Sequence, residues 1–596
     1  MKAKKLIEVS LPIKEISAES VRDKSLRHGH ISTLNFWLAR RPLPASRAVV
    51  FASLVPDPLD PNCPQAFRDA VKYLLQTSDS IRELQYRPYA DIPYTSIVDP
   101  MEDNLRNRLM MFIGKFSDKC QKDMITGNST SPKEQLSDGS LIKWENKNDP
   151  KILRIARELI WVAYNADLHP EIGFETHHSN FNEAFDAIEI AEKEFYSRPD
   201  RHIPSADIDV LEGALQSAIE NFQANMPSVF DPFAGGGAIP LEAARLGCRS
   251  FGNDLNPVAH LIEKCTAEFP QKYGKRTLLN KQDFISTYGE LGIKLAEELG
   301  IAISDVVDIP NRLSFDVNYY SRLVLSRAES YVSSLYPSNE KGKKPIGYYW
   351  VRFAQCTNPS CRRFVPMLKS MAISTKKGNE YSFVFSPNNS GEYEIRKEKS
   401  SARGFYINSK LHCPFCGSIT DTADLKAQCR ANGLKPHLMA LIFDSGTSKV
   451  FVKPDQANKH VLRNLSAFTN RPKEALHPNS GGGDTLGWGI STYGQLFLDR
   501  QLYSIESIVK QINALKTELP SSNYSNAIIS YLSLLLNRIT PRSNMFALLN
   551  TVGEKLEHIH RNQAIPMVFD FPESAIFCSS MGGAYNPVSY THLRAH

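Results

Sequence analysis

Long hydrophobic runs are missing from this 596-residue chain. The most apolar stretch, Ala527–Leu536, is ten residues long, about half of what a bilayer core asks of a helix. No membrane partner is expected. The first seventeen residues interleave lysines and glutamates with apolar side chains, which is not the pattern of a secretory signal. Cysteine is scarce, ten in the whole chain. That excludes a disulfide scaffold, and without an export signal the expected compartment is a reducing cytoplasm, where paired cysteines more often hold metal. Neither sign of charge dominates. Lys and Arg number 70 against 64 Asp and Glu, a formal net charge of +6, so a nucleic-acid partner is allowed but would have to be recognised from a local basic patch. What remains is a globular composition, 42% hydrophobic and 22% charged, long enough for roughly three or four domains.

No internal repeat is present. Residues 1–204 read as mainly helical, with tracts such as NLRNRLMMFIGKF and KILRIARELIWVAYNADL apolar at every third or fourth position. Thr126–Ser140 is polar and turn-rich and is expected to be an exposed loop. Residues 205–345 begin as helix, strand, Gly-rich turn, helix and strand, the start of an α/β domain, and continue as polar helix from 266. Residues 346–450 change to β-branched and aromatic residues with two cysteine pairs. Residues 451–586 contain a flexible connector, His477–Gly489, and then helix to about Leu549.

The stretch VFDPFAGGGAIPLEAARLGCRSFGNDLNPVA, Val229–Ala259, carries the strongest signal. Glycines in such a turn permit positive φ and let a ligand approach the backbone. A dinucleotide site needs G-x-G-x-x-G and a phosphate loop needs Lys-Ser/Thr. Here Gly235-Gly236-Gly237 runs into Ala238-Ile239-Pro240. The turn opens on an acid, Asp231, a poor neighbour for phosphate and a good one for a cation. About twenty residues on, Asp254 ends the next strand, where an acid accepts hydrogen bonds from ribose hydroxyls. S-adenosylmethionine, with an ammonium, a sulfonium and no phosphate, suits these charges. A Gly-rich turn of an unrelated α/β protein is the alternative.

Cys356 and Cys361 lie in CTNPSC, and Cys413 and Cys416 in CPFCGS. Four thiolates suit tetrahedral Zn²⁺ with no open position, hence a structural site. Buried free cysteines are the alternative, and His412 competes with Cys413 as a ligand. The segment between the pairs, YSFVFSPNNSGEYEIRKEKSSARGF, reads as a basic hairpin, either touching DNA phosphate or merely solvated. Arg27, His28, His30, Trp37, Arg40, Arg41 and Arg47 crowd into one N-terminal span, either the charged face of an amphipathic helix or residues near a ligand.

D-P-F-A-G-G-G followed by N-D-L-N-P resembles the cofactor motifs of the amino-group DNA methyltransferases. That resemblance implies that Asp231, Phe233, Ala234, Gly235 and Gly237 line the methionine half of S-adenosylmethionine, with Pro232 and Gly236 in the same binding loop. It gives Asp254 to the ribose, and Asn256 and Pro257 complete the second motif. The string RHGH-STL--W-ARRPL--SRA resembles the N-terminal domain, domain of unknown function 1156, of a zinc-ribbon family of adenine-specific DNA methylases. GYYWVRFAQC, CPFCG, LFLDRQL and RNQAIPMVFDFPES extend that likeness in order to about Asn586. It implies an incomplete Rossmann-like methyltransferase core with helical regions and an inserted zinc ribbon. It further implies S-adenosylmethionine and structural Zn²⁺ as cofactors, and DNA and proteins of a bacterial defence gene cluster as partners. The N-terminal segment would lie beside the cofactor or the DNA.

Methylation of a base amine in such enzymes uses a D/N/S-P-P-Y/F/W loop that accepts the amino hydrogens and stacks on a flipped base. No such loop occurs in these 596 residues, so no catalytic residue is assigned; NPVSY at Asn586–Tyr590 lacks the second proline. The last nine residues, VSYTHLRAH, resemble a translated sequencing adapter. The expectation is therefore a foreign tail at 587–596, a loop lost downstream, and a chain that is inactive and poorly soluble because its sheet is unfinished. The expected activity of the parent protein is adenine-N6 DNA methylation, the methyl passing in line with positioning and desolvation dominant. Cytosine-N4 or RNA methylation, or a non-catalytic DNA-binding subunit, are the rivals.

Overall fold

The helical spacing of the first two hundred residues is realised as Ile13–Asp23, Leu43–Leu54, Gln65–Leu74, Leu105–Ile113, Asp118–Thr126, Pro150–Leu168 and Phe174–Tyr196. This is a computed structural model, and it describes residues 2–26, 30, 31, 34, 37, 40–76, 103–198, 206–339, 341–386, 392–477, 483–559 and 565–585. Arg27, His28, Asn586 and the 587–596 tail lie outside those residues. The chain divides into two compact units, Met1–Tyr319 and Tyr320–Thr591.

In the first unit the helix faces converge on a core containing Phe51, Phe67, Leu159, Trp161, Phe181 and Phe222. Asp149 starts the helix Pro150–Leu168 by accepting from Lys151 N–H and Ile152 N–H, with Pro150 at its first position. Thr126–Ser140 is only partly the exposed loop its polarity suggests. Leu136 is buried in this core and bridges Phe116, because one apolar residue in a polar segment is enough to pin it.

After the helix Ala206–Ala224 come strand β1 (Ser228–Asp231), helix Ala238–Arg245 and strand β2 (Arg249–Gly252). The two strands pair in parallel, Ser228 with Arg249 through Asp231 with Gly252. Ala243, Leu246 and Cys248 join the N-terminal core. A buried pair, Arg47 Nε to Glu242 Oε2 at 2.5 Å, ties the helix Leu43–Leu54 to the helix after the glycine turn.

The incomplete Rossmann-like core expected from the sequence is not shown by the strand pairing. Among the described residues the parallel sheet stops at two strands. The region from 266 is not purely helical either, since β3 (Thr277–Asn280) and β4 (Val306–Ile309) pair antiparallel with each other around the helix Lys281–Glu298. Four-residue strands are too short to show a clear period among polar helices. The fold class is mixed helix and sheet.

The second unit is built on β5 (Gly347–Gln355), whose end pairs with β6 (Phe364–Pro366). Next, β7 (Ala372–Ser374), β8 (Tyr381–Phe385) and β9 (Tyr393–Arg396) form the expected hairpin plus one strand. A small ribbon follows, β10 (Tyr406–Ile407), β11 (Lys410–His412) and β12 (Ile419–Thr420). β13 (Pro436–Asp444) and β14 (Lys449–Val452) extend the main sheet. After the hairpin β15 (Leu548–Asn550) and β16 (Lys555–Glu557), β17 (Asp570–Ser574) closes it in the order β14-β13-β5-β17. The connector expected at His477–Gly489 is in part structured, with a helix at Gly483–Gly487 and Trp488 1% exposed in the core beneath it. Residues 478–482 lie outside the described ones. No helix among the described residues is long and apolar enough to cross a membrane.

Candidate small-molecule cavity and four-cysteine cluster

β1 delivers Asp231 to the start of the glycine turn. Its Oδ1 accepts from Phe233 N–H at 3.0 Å. Ala234 N–H donates to Asn253 O, and Asn253 N–H to Asp231 O, so the loop is laced to the end of β2. Gly235 and Gly237 have φ of +55° and +77°, conformations that a side chain disfavours. Space is the second constraint. A Cβ on Gly235 would lie 2.7 Å from Trp37 Nε1, and one on Gly237 2.7 Å from Thr266 Oγ1. Gly236 has neither problem, since its nearest Trp37 atoms would be 3.8 Å away.

Asp254 binds this loop from the other side. Its Oδ2 accepts from Gly235 N–H at 3.0 Å and its Oδ1 from Asn256 N–H at 2.9 Å. Asn256 caps the helix Pro257–Glu263 by accepting from Val258 N–H, with Pro257 at the first position. The first partners of Asp254 are therefore backbone N–H groups. Each of its oxygens keeps a second lone pair, and the residue still lines the cavity above the turn.

That cavity has a volume of about 410 Å³, within the range of small-molecule sites. Asp231, Phe233, Ala234, Gly235, Gly236 and Asp254 form one wall. Pro232, Gly237, Asn256 and Pro257 shape the loop without lining it. The N-terminal segment adds His30, Ile31, Trp37, Arg40 and Arg41 to the lining. His30 is buried there, its Nε2 3.0 Å from both oxygens of Asp23, its ring stacked on Trp144. The segment's aromatic and basic residues thus meet the glycine turn from two hundred positions away.

Glu263 carries no signal in the sequence pattern. It is 7% exposed, its Oε1 has no hydrogen-bond partner, and its Oε2 sits behind the turn, 3.0 Å from where a Cβ on Gly252 would be. Burial above all, then the charges of Asp254 and Asp231, push its carboxyl up to about 7. Asp231, Asp254 and Glu263 are gathered at this turn, and Arg40 and Arg41 line the same cavity.

In the second unit the Sγ atoms of Cys356, Cys361, Cys413 and Cys416 lie within 4.8 Å of one another. Cys356 to Cys416 and Cys361 to Cys413 are each 3.7 Å apart. Tetrahedral zinc–thiolate geometry sets such separations at about 3.8 Å, so the four could hold a metal ion such as zinc. Two knuckles present them. Cys356 N–H bonds Arg363 O around Arg362, whose φ is +47°, and Gly417, at φ +73°, returns its N–H to Cys413 O. His412 is not part of the cluster. Ser418 hydrogen bonds draw the exposed Cys416 thiol down to about 6, while burial pushes Cys413 up to about 12.

Residues 10–81 match the family described as protein of unknown function (DUF1156). The match covers the helices Ile13–Asp23 and Leu43–Leu54 and the cavity-lining residues between them, and ends well before the glycine turn. No curated protein and no solved structure matches the chain.

Proposed function

We propose that this chain serves an S-adenosylmethionine-dependent DNA methyltransferase of a bacterial modification or anti-phage system, acting on the N6 amino group of adenine. The cavity over the glycine turn carries this reading. It gathers two carboxylic acids, Asp231 and Asp254, and two arginines, Arg40 and Arg41, around one space. A zwitterion bearing a carboxylate, an ammonium and a sulfonium finds both complements there. The positive φ of Gly235 and Gly237 keeps the turn free of side chains, which favours close approach of a ligand to the backbone.

When bound, the cofactor supplies an activated methyl group. The residues of this chain then bind and orient it. Asp231, Gly235, Gly236 and Asp254 would hold its cationic and hydroxyl groups, Arg40 and Arg41 its carboxylate. Trp37 and the 87%-exposed Phe233 offer apolar rings that exclude water. No residue present here is assigned to accept the amino hydrogens of the base, so binding without turnover is expected of the 596 residues. The four-cysteine cluster favours a second reading, a DNA-binding subunit without catalysis, held together by a structural zinc.

Calorimetric titration of the full chain separates the two. The methyltransferase reading expects saturable binding of S-adenosylmethionine, none of ATP or NAD, and loss on Asp254→Ala. DNA binding with no S-adenosylmethionine binding would leave only the subunit reading. Tritiated methyl transfer compared on DNA and RNA, then product analysis for methyladenine against methylcytosine, distinguishes the remaining rivals; transfer by these 596 residues would overturn the expected inactivity.

A further inference from the structure

A second cavity, of about 360 Å³, lies wholly in the second unit. Four cations line it, Arg352, Arg430, Lys435 and Arg471, with a single carboxylate, Asp499. That carboxylate is already engaged, since it accepts from Arg471 Nη2 at 2.6 Å and from Phe468 N–H at 2.7 Å. Arg471 spends its other nitrogen on Gly494 O and Phe497 O. Arg430 bonds the carbonyl of Gly487.

Arg352 is the unusual member. It is 4% exposed, projects from the central strand β5, and pairs with no carboxylate among the described residues. Its Nε donates to Val568 O and its Nη1 to Leu434 O, both at 3.2 Å. Phe546 and Phe571 lie 5.6 Å from its guanidinium carbon. Among the described residues Nη2 finds only a 4.0 Å contact with Met545 Sδ. Burial without a counter-charge draws its pKa down to about 10. A buried cation ordinarily acquires a paired anion or is replaced by an apolar residue. Leu498 and Asp499 also bring the positive end of the 20-residue helix Asp499–Glu518 to the same cavity.

We propose that this cavity is a phosphate-binding site, in which Arg352 supplies the buried positive charge and Arg430 and Lys435 the exposed contacts. A guanidinium fork and helix N–H groups match tetrahedral oxyanions. The group bound is either a phosphodiester of a nucleic acid or free phosphate. The site stands independently of the methyl-transfer reading, because it shares no residue with the glycine-turn cavity.

The test uses the full chain and two probes, inorganic phosphate and a short DNA duplex, by calorimetry and by thermal unfolding against chloride at matched ionic strength. The double variant Arg430→Gln/Lys435→Gln changes only residues exposed at the rim, leaving Arg352 and Arg471 to hold the fold. Saturable binding by the wild type, weakened about tenfold or more in the variant, is expected. For the duplex, the slope of affinity against salt should fall by about two, one for each lost phosphate contact. Loss for the duplex, alone or with phosphate, identifies a polynucleotide. Loss for inorganic phosphate alone identifies the free anion. Equal binding of both probes by wild type and variant, or binding of neither, would overturn the proposal.

Discussion

β1 and β5 are both strands that precede a functional turn, yet they are supported in opposite ways. β5 is paired by β13 on one flank and β17 on the other, and Tyr348, Trp350 and Val351 are at most 5% exposed. Among the described residues β1 pairs only with β2. Phe230 on β1 is 63% exposed and Phe251 on β2 49%. The sheet of the second unit is a core that carries a cysteine cluster at its margin. The two-stranded ladder of the first unit is chiefly a clamp, bringing the end of β1 to Asp254 just past β2. Its rigidity is borrowed from the helices through Arg47, Glu242 and the core beneath them.

The largest effect should come from cutting the second unit's sheet at its buried charge. Arg500, 1% exposed, bonds Glu573 through Nε at 3.0 Å and Nη2 at 2.5 Å, and Trp350 Nε1 donates to the same carboxylate at 2.7 Å. Arg500→Ala strands a buried carboxylate between β5 and β17 and should cost about 3–5 kcal/mol in urea unfolding. A cost near zero would mean that the two regions are supported alike.

Next in size is Gly235→Ala. Left-handed backbone alone costs about 1–2 kcal/mol, and the contact with Trp37 adds to it and narrows the cavity. Gly236→Ala should be nearly silent. Adding Trp37→Ala to Gly235→Ala should recover the steric part but not the backbone part, which a double-mutant cycle reads directly.

Glu263 makes the first unit sensitive to pH. Its folded value, about 7, lies above its ordinary 4.5, so the native state holds the proton more tightly than the unfolded chain. The stabilisation is complete below about 4.5 and is lost as pH rises through about 7. Glu263→Gln should flatten that decline, measured as unfolding midpoints from pH 4 to 8; an unchanged profile would show that the acid is solvated.

The smallest effect sharpens the contrast itself. Phe230→Ser and Phe251→Ser should each change stability by about 0.5 kcal/mol or less and improve solubility, since both rings face outward. A loss on the scale of Arg500→Ala would show that this face is packed rather than open.

Local signals were readable and distant ones were not. The turn at Asp231–Gly237 and the two cysteine knuckles are specified within a few residues each, by φ, by capping and by thiol spacing. The early helices announce themselves by period. By contrast, β17 reaches β5 from more than two hundred positions away, and the phosphate-site candidate draws on β5, the segment after Cys429, Arg471 and the start of Asp499–Glu518. None of those pairings leaves a periodic trace. Trp37 was visible as part of a basic-aromatic string, but its seat on Gly235 was not. Glu263 looked like any helix glutamate, because what sets it apart is burial beside two acids.

The most direct measurement is ultraviolet crosslinking of methyl-tritiated S-adenosylmethionine to the full chain, followed by peptide mapping. Label confined to the peptides bearing Trp37 or Asp231–Gly237, competed by unlabelled cofactor and absent from Gly235→Ala, is the expected result. Saturable binding with the label mapped elsewhere, or no competed label at all, would contradict the assignment of this cavity to a methyl donor.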